Sequence, residues 1–343
     1  MEEKKVSSLN YFIIFFLSYS FYTIQILTQQ LFKFYSKEAV VIICIFYLLS
    51  PILVYLVCKK INDRETKVSI KRNFLFSFLT SLYLIFTTLI SIISIANIII
   101  LYYYQQSSLI ILLVFLTLPI IYTLIKGENN FFSLASVLLI IFIVFKYAYL
   151  SNFSSIDTYV FSNIFKITKS NFLSIIIFAS PILLEPLILL NGKKDILNKI
   201  NIKFAVIASI GLSLIGILTI LRQTWEFGGL LDEIRFPYLE SAKNIVAGKF
   251  FENIDYYYLL SLSVSIYIRL GFTLISIKKS FNLNKYITLL ILLVILTITY
   301  ILHTSMFLYD FAETKILTIT SSCLILLLLI SLLPLQRRKK KNA

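Results

Sequence analysis

Apolar residues in this chain come in long, nearly unbroken runs separated by short polar stretches. A helical run of roughly 17–25 apolar residues is long enough to cross the hydrocarbon of a bilayer. Ten runs reach that length, at 11–31, 40–57, 74–101, 109–125, 131–150, 172–190, 204–221, 256–277, 286–302 and 316–333. The pattern predicts an all-α polytopic membrane protein, a single integral domain over 1–343 with ten transmembrane helices. The third run is long enough to tilt or to run out into the interface.

One run carries an ionisable group at its centre. Glu185 stands in the sixth, next to Pro186 and four residues after Pro181. An unpaired carboxylate at mid-bilayer costs roughly 2.5–3.5 kcal/mol on insertion scales. A proline inside a helix costs about 3 kcal/mol and leaves a backbone carbonyl without its donor. Together they predict a helix interrupted at membrane depth and turned toward protein or a polar cavity.

The polar stretches alternate in charge. Basic residues gather at Lys4 and Lys5, from Lys59 to Arg72, at Lys126, from Lys193 to Lys203, from Lys278 to Lys285 and from Arg337 to Lys341. The other set holds most of the acids, among them Glu38, Asp157, Glu226, Glu240, Asp310 and Glu313. By the positive-inside rule both termini are cytoplasmic, which fits an even number of spans. The first run follows Met1–Lys5 with no small-residue cleavage site, so it is read as an uncleaved helix. The C-terminal basic run reads as a topology anchor at the anionic leaflet.

Composition agrees. The 343 residues are 59% hydrophobic, and mean hydropathy is +0.89. The net charge of +15 follows from the basic loops, which lack the aromatic interleaving of a nucleic-acid surface. Nucleic acid is therefore not expected as a partner, and the lipid bilayer is. Cys44, Cys58 and Cys323 lie in or beside apolar runs without metal spacing and read as buried free thiols. His303 has no cluster of ligands around it in sequence. Phosphate-loop, serine-hydrolase and zinc-protease motifs are missing, so neither cofactor nor metal is expected, and the chain does not read as an enzyme.

Two further features carry candidate chemistry. Besides Glu185, Arg269 is the only charge deep within a span, and such charges pair or line a pathway. A buried Glu185–Arg269 pair that pins two helices is one reading; a substrate or ion site is the other. The first run holds Ser18, Tyr19, Ser20, Tyr22, Thr23, Gln25 and Thr28, a polar stripe suited to interhelical hydrogen bonds or to a cavity wall. Asn97 in the third run and Tyr102–Tyr104 just after it read the same way, although the tyrosines are more simply an interfacial aromatic belt.

The long polar stretch 225–255 is broken by Gly228 and Gly229. It then predicts an amphipathic helix from Pro237, with Tyr238, Ala242, Ile245, Val246 and Phe250 on one face. Such a helix serves as a cover for the bundle, a lid or a partner-docking surface.

These motifs resemble the spore germination permease family, the B subunits of nutrient germinant receptors in spore-forming Firmicutes. The stretch Arg235-Phe-Pro237-Tyr-Leu-Glu240, followed by Gly248, Phe250 and Glu252 just before span eight, resembles that family's proline-led loop helix. Arg269, the proline-flanked Glu185 and Lys126-Gly127-Glu128 also match it. The resemblance implies an amino acid–polyamine–organocation fold of two inverted five-helix repeats, with helices one and six broken and substrate met near the midplane. Span one contains no glycine, so Ser18, Tyr19 and Ser20 would supply contacts through side chains.

The expected function is that of a germinant-receptor B subunit. This is a transporter-like sensor in the spore inner membrane that binds a small nutrient such as an amino acid and acts with A and C subunits. A secondary amino-acid transporter is the first alternative. A membrane polysaccharide polymerase using Arg222, Glu226 and Arg235 is the second.

Overall fold

The computed structural model describes residues 8–35, 38–62, 70–100, 108–127, 172–191, 201–231, 233–234, 236–243, 254–304 and 306–332. It also describes scattered helical positions between 130 and 143. Among them there is no strand, and the protein is an all-α polytopic membrane protein.

Span one is α1 (Ser8–Ser20), a π-helical segment (Phe21–Leu27) and α2 (Thr28–Tyr35). Then come α3 (Glu38–Asn62), α4 (Ile70–Ile98) and α5 (Leu109–Lys126). Span six is α6 (Phe172–Leu184), tightening to a 3-10 segment at Glu185–Asn191. The chain continues through α7 (Ile202–Phe227), the short α8 (Pro237–Lys243), α9 (Ile254–Phe281), α10 (Lys285–Thr304) and α11 (Met306–Leu332). Among the described residues, seven helices are long and apolar enough to cross a membrane. The expected fifth span, 131–150, lies largely outside the described residues.

Helices one and six are interrupted, but by a change of winding rather than by an unwound break. Both points stay helical, because the absence of glycine in span one and a single proline beside Glu185 leave tighter or looser helical bonding within reach.

Span one is the axis of the bundle. It is buried over 89% of its apolar stretch, against 22% for α10, whose Leu290 and Leu293 face outward. Phe12, Phe15, Phe16 and Tyr19 interlock and reach Phe204 on α7 and Phe272 on α9. Around this axis α3 packs on α6 and α7, and α4 packs on α9 and α11.

Lipid tails are as apolar as leucine, so helix association rests on close packing and hydrogen bonds. Ser50 and Ser213 join α3 to α7 at 3.1 Å, and Thr88 and Thr273 join α4 to α9 at 2.8 Å. Lys60 donates to the carbonyl of Ser331 at 2.5 Å, meeting the end of α11 where backbone acceptors lack helical donors.

Gly216 gives α7 its seat against α3. A Cβ there would lie 2.8 Å from the ring of the fully buried Tyr47, whereas a Cβ on Gly211 would meet nothing within 4 Å. Gly211→Ala is therefore expected to hold or raise thermal stability, by up to about 1 kcal/mol of helix propensity. Gly216→Ala is expected to lower it by about 1–3 kcal/mol through overpacking. Melting of the detergent-purified variants checks this; equal melting temperatures would contradict the close α3–α7 seat.

Candidate functional site

Two prolines shape span six. Pro186 has no N–H to offer the carbonyl of Ile182, four residues before it. The hydroxyl of Tyr19 fills that vacancy, donating to the Ile182 carbonyl at 2.5 Å. The helix tightens to 3-10 winding at the next turn, where Glu185 stands. Pro181 lies one turn earlier, buried inside α6. Span one thus braces the bend in span six through Tyr19.

Glu185 and Arg269 are both fully buried and form an ion pair, Arg269 Nη1 donating to Glu185 Oε1. The guanidinium binds more than the carboxylate. Nη1 also donates to the Ser18 hydroxyl at 2.9 Å and reaches the Ser18 carbonyl at 3.4 Å, and Nη2 donates to Thr87. Its carbon lies 5.0 Å from the ring centre of Tyr22 and 5.8 Å from that of Tyr83. Such cation–π contacts contribute about 0.5–2 kcal/mol each when desolvated. One side chain from α9 therefore ties together span one, α4 and span six.

The pair leaves polar atoms over. Glu185 Oε2, Arg269 Nε and the hydroxyls of Tyr22 and Tyr83 are buried without hydrogen bonds. The Tyr83 side chain lies close enough to Glu185 to act on its carboxylate. Buried polar groups normally find partners, since an unmet one costs about 1–3 kcal/mol. Donors and acceptors both remain here, around a centre whose formal charges cancel. The arrangement suits a small polar guest with no net charge.

The other expected site residues fall elsewhere. Ser20 bonds back to the Leu17 carbonyl at 3.1 Å. Asn97 is half-buried, ten residues past Thr87, which is about 15 Å along α4 and away from the pair. Thr87 and Tyr83 had no place in the sequence-derived site. Their signal was present, since Thr87 and Thr88 put adjacent hydroxyls in the middle of an apolar run.

In α8, Pro237 occupies the first helical position, which needs no N–H donor. Tyr238, Leu239, Ser241 and Ala242 face inward, and Glu240 pairs outside with Lys243 at 3.2 Å. Ser241 donates to Glu226 of α7, whose carboxylate also stands 3.7 Å from Arg222. Gly248, Phe250, Glu252 and Arg235 lie outside the described residues. Cys58 and Cys323 are buried and Cys44 half-buried, all as free thiols.

No protein-family model matches the chain, and no curated protein matches it. Among solved structures it is similar to the manganese transporter of Eremococcus coleocola in complex with an aromatic bis-isothiourea substituted compound. Identity is 17%, covering 93% of this chain and 77% of that one, with a TM-score of 0.53. Two point mutants of the same transporter align at 14% identity over 93% of this chain and 75% of theirs, with TM-scores of 0.52. At such identities the likeness shows the fold alone, that of a membrane transporter.

The proline-and-tyrosine brace yields a coupled outcome. Tyr19→Phe is expected to cost about 1–3 kcal/mol by stranding the Ile182 carbonyl. In a Pro186→Ala background the new backbone N–H can serve that carbonyl, so the same substitution should cost clearly less. Thermal melts of the four proteins give the coupling; a Tyr19→Phe loss that is the same in both backgrounds would refute the brace.

Proposed function

We propose that this chain is a transporter-like sensor, the B subunit of a nutrient germinant receptor. It sits in the spore inner membrane with both termini cytoplasmic and acts with A and C subunits. A small nutrient, such as an amino acid, binds at the Glu185–Arg269 centre. The observation that carries this reading is the pair itself, a fully buried ion pair that joins four elements of a transporter fold and leaves donors and acceptors over. The proline-led helix α8, which packs onto α7 and α9, supports it from the sequence side.

The mechanism is a population shift. In the resting state the guanidinium and carboxylate hold each other. A ligand with its own donor and acceptor competes for both and favours an arrangement in which spans one and six are no longer tied. Moving such an equilibrium from 1:99 to 99:1 takes about 10⁴-fold preferential binding, so ligand affinity must differ strongly between the two states.

An active secondary transporter of amino acids is the second reading, favoured by the fold that the chain shares with a transporter. Manganese is a weaker candidate as cargo. Among the described residues no three His, Cys, Asp or Glu side chains converge, and the carboxylate of Glu185 already holds a guanidinium. The polymerase reading also loses support, because Glu226 and Arg222 are engaged with each other and Glu226 with Ser241.

Arg269→Lys tests the reading, since an ammonium cannot reproduce the fork of contacts to Ser18, Glu185 and Thr87 or stack on two rings. Both Arg269→Lys and Glu185→Gln are expected to lower the nutrient-triggered germination rate at least about tenfold at normal subunit levels, a loss of the usual size for coupling between sites. In proteoliposomes the wild-type chain should bind labelled nutrient without net uptake. Normal germination in both variants would refute the sensor, and nutrient-driven uptake would favour the transporter.

A further inference from the structure

Span one carries a second device beside the ion pair. Its α winding gives way to seven fully buried residues, Phe21–Leu27, and the N–H of Thr28 reaches the carbonyl of Thr23, five residues back. A π turn holds one residue more than an α turn. The chain stores that surplus residue at the centre of the most buried of the seven apolar helices among the described residues.

Side chains support the altered winding. Thr23 donates to the Tyr19 carbonyl at 2.9 Å, Thr28 to that of Ile24, and Ser20 to that of Leu17. Such back-bonding offers carbonyls near an irregular turn an alternative donor. At the entry to the segment Arg269 grips both the hydroxyl and the carbonyl of Ser18. Inside it stands Gln25, 2% exposed, with neither amide atom hydrogen-bonded. An amide stranded at this depth costs a few kcal/mol, which makes the present register of this helix an expensive one. Nothing in plain helix packing calls for glutamine there.

We propose that the π segment is a one-residue register switch held by the Glu185–Arg269 pair. When the pair opens, Arg269 releases Ser18 and the segment rewinds to α. The surplus residue then passes into α2, which turns by about 100° and advances by about 1.5 Å. The turn re-aims Gln25 and places Phe34 where Tyr35 stood. The switch rests on the reading that ligand acts at the pair, and its test reads helix register directly.

Tyr35 supplies the gauge, because its ring lies 6.0 Å from that of Phe178 on α6. The full chain is placed in nanodiscs after Cys44→Ala, Cys58→Ala and Cys323→Ala. Tyr35→Cys with Phe178→Cys reports the present register, and Phe34→Cys with Phe178→Cys reports the shifted one. In the otherwise intact chain the first pair should cross-link in preference. Glu185→Leu with Arg269→Met, which removes both charges together, should raise the ratio of shifted to present product about tenfold or more.

Deleting Ile24 removes the surplus residue while leaving the flanking helices in place, and should return that ratio to its starting value. Should that deletion leave the monodisperse size-exclusion peak, deleting Ile26 removes the same surplus. A ratio that ignores loss of the pair, or a rise that survives the deletion, would overturn the switch. Germination measured on the same variants keeps the two proposals apart. A register shift with normal germination refutes the sensor and leaves the switch, whereas lost germination with an unmoved ratio refutes the switch alone.

Discussion

A guanidinium with no exposure to water, inside an apolar bundle, can be stabilised only by what the chain places around it. Arg269 meets that constraint with a carboxylate, two hydroxyls, a backbone carbonyl and two aromatic faces. Each partner comes with a demand of its own. Glu185 needs span six bent so that its side chain turns inward, Ser18 needs span one at the centre, and Thr87 needs α4 alongside. The positions of spans one and six and of α4 and α9 follow from one charge that cannot reach water. Removing either member alone would leave the other uncompensated, which is why buried pairs are sensitive out of proportion to their net contribution.

The same rule, that no backbone or side-chain polar group goes unserved at this depth, orders the surroundings. The carbonyl freed by Pro186 is met by Tyr19, and the π turn of span one is flanked by the hydroxyls of Thr23 and Thr28. Ser50 with Ser213 and Thr88 with Thr273 stitch neighbouring helices. Against this background Glu185 Oε2, Arg269 Nε and the hydroxyls of Tyr22 and Tyr83, whose rings flank the guanidinium, remain unmet at the pair.

Much of this was legible in the sequence, for physical reasons. Run length gives spanning helices because hydrocarbon thickness is fixed, and a lone Glu and a lone Arg in such runs have few ways to be tolerated apart from each other. The proline beside Glu185 announced a freed carbonyl. What answers it was hidden, because Tyr19 lies 163 residues away and only the fold brings the two together. Thr87 and Tyr83 were missed since hydroxyls in an apolar run commonly bond their own helix, as Thr87 also does to Tyr83. The winding of span one was hidden for another reason: without glycine or proline, nothing local distinguishes π from α bonding. Asn97 shows the converse, a polar residue in the right run at the wrong height.

Stability of the purified chain across the cycle Glu185→Leu, Arg269→Met and the two combined tests the central claim most directly. Each single substitution should cost about 3–5 kcal/mol, because it leaves an unpaired charge in the bundle, and the combination should restore most of that loss. Single substitutions that leave melting unchanged, or a double variant whose loss equals the sum of the two, would contradict the claim that this pair organises the protein.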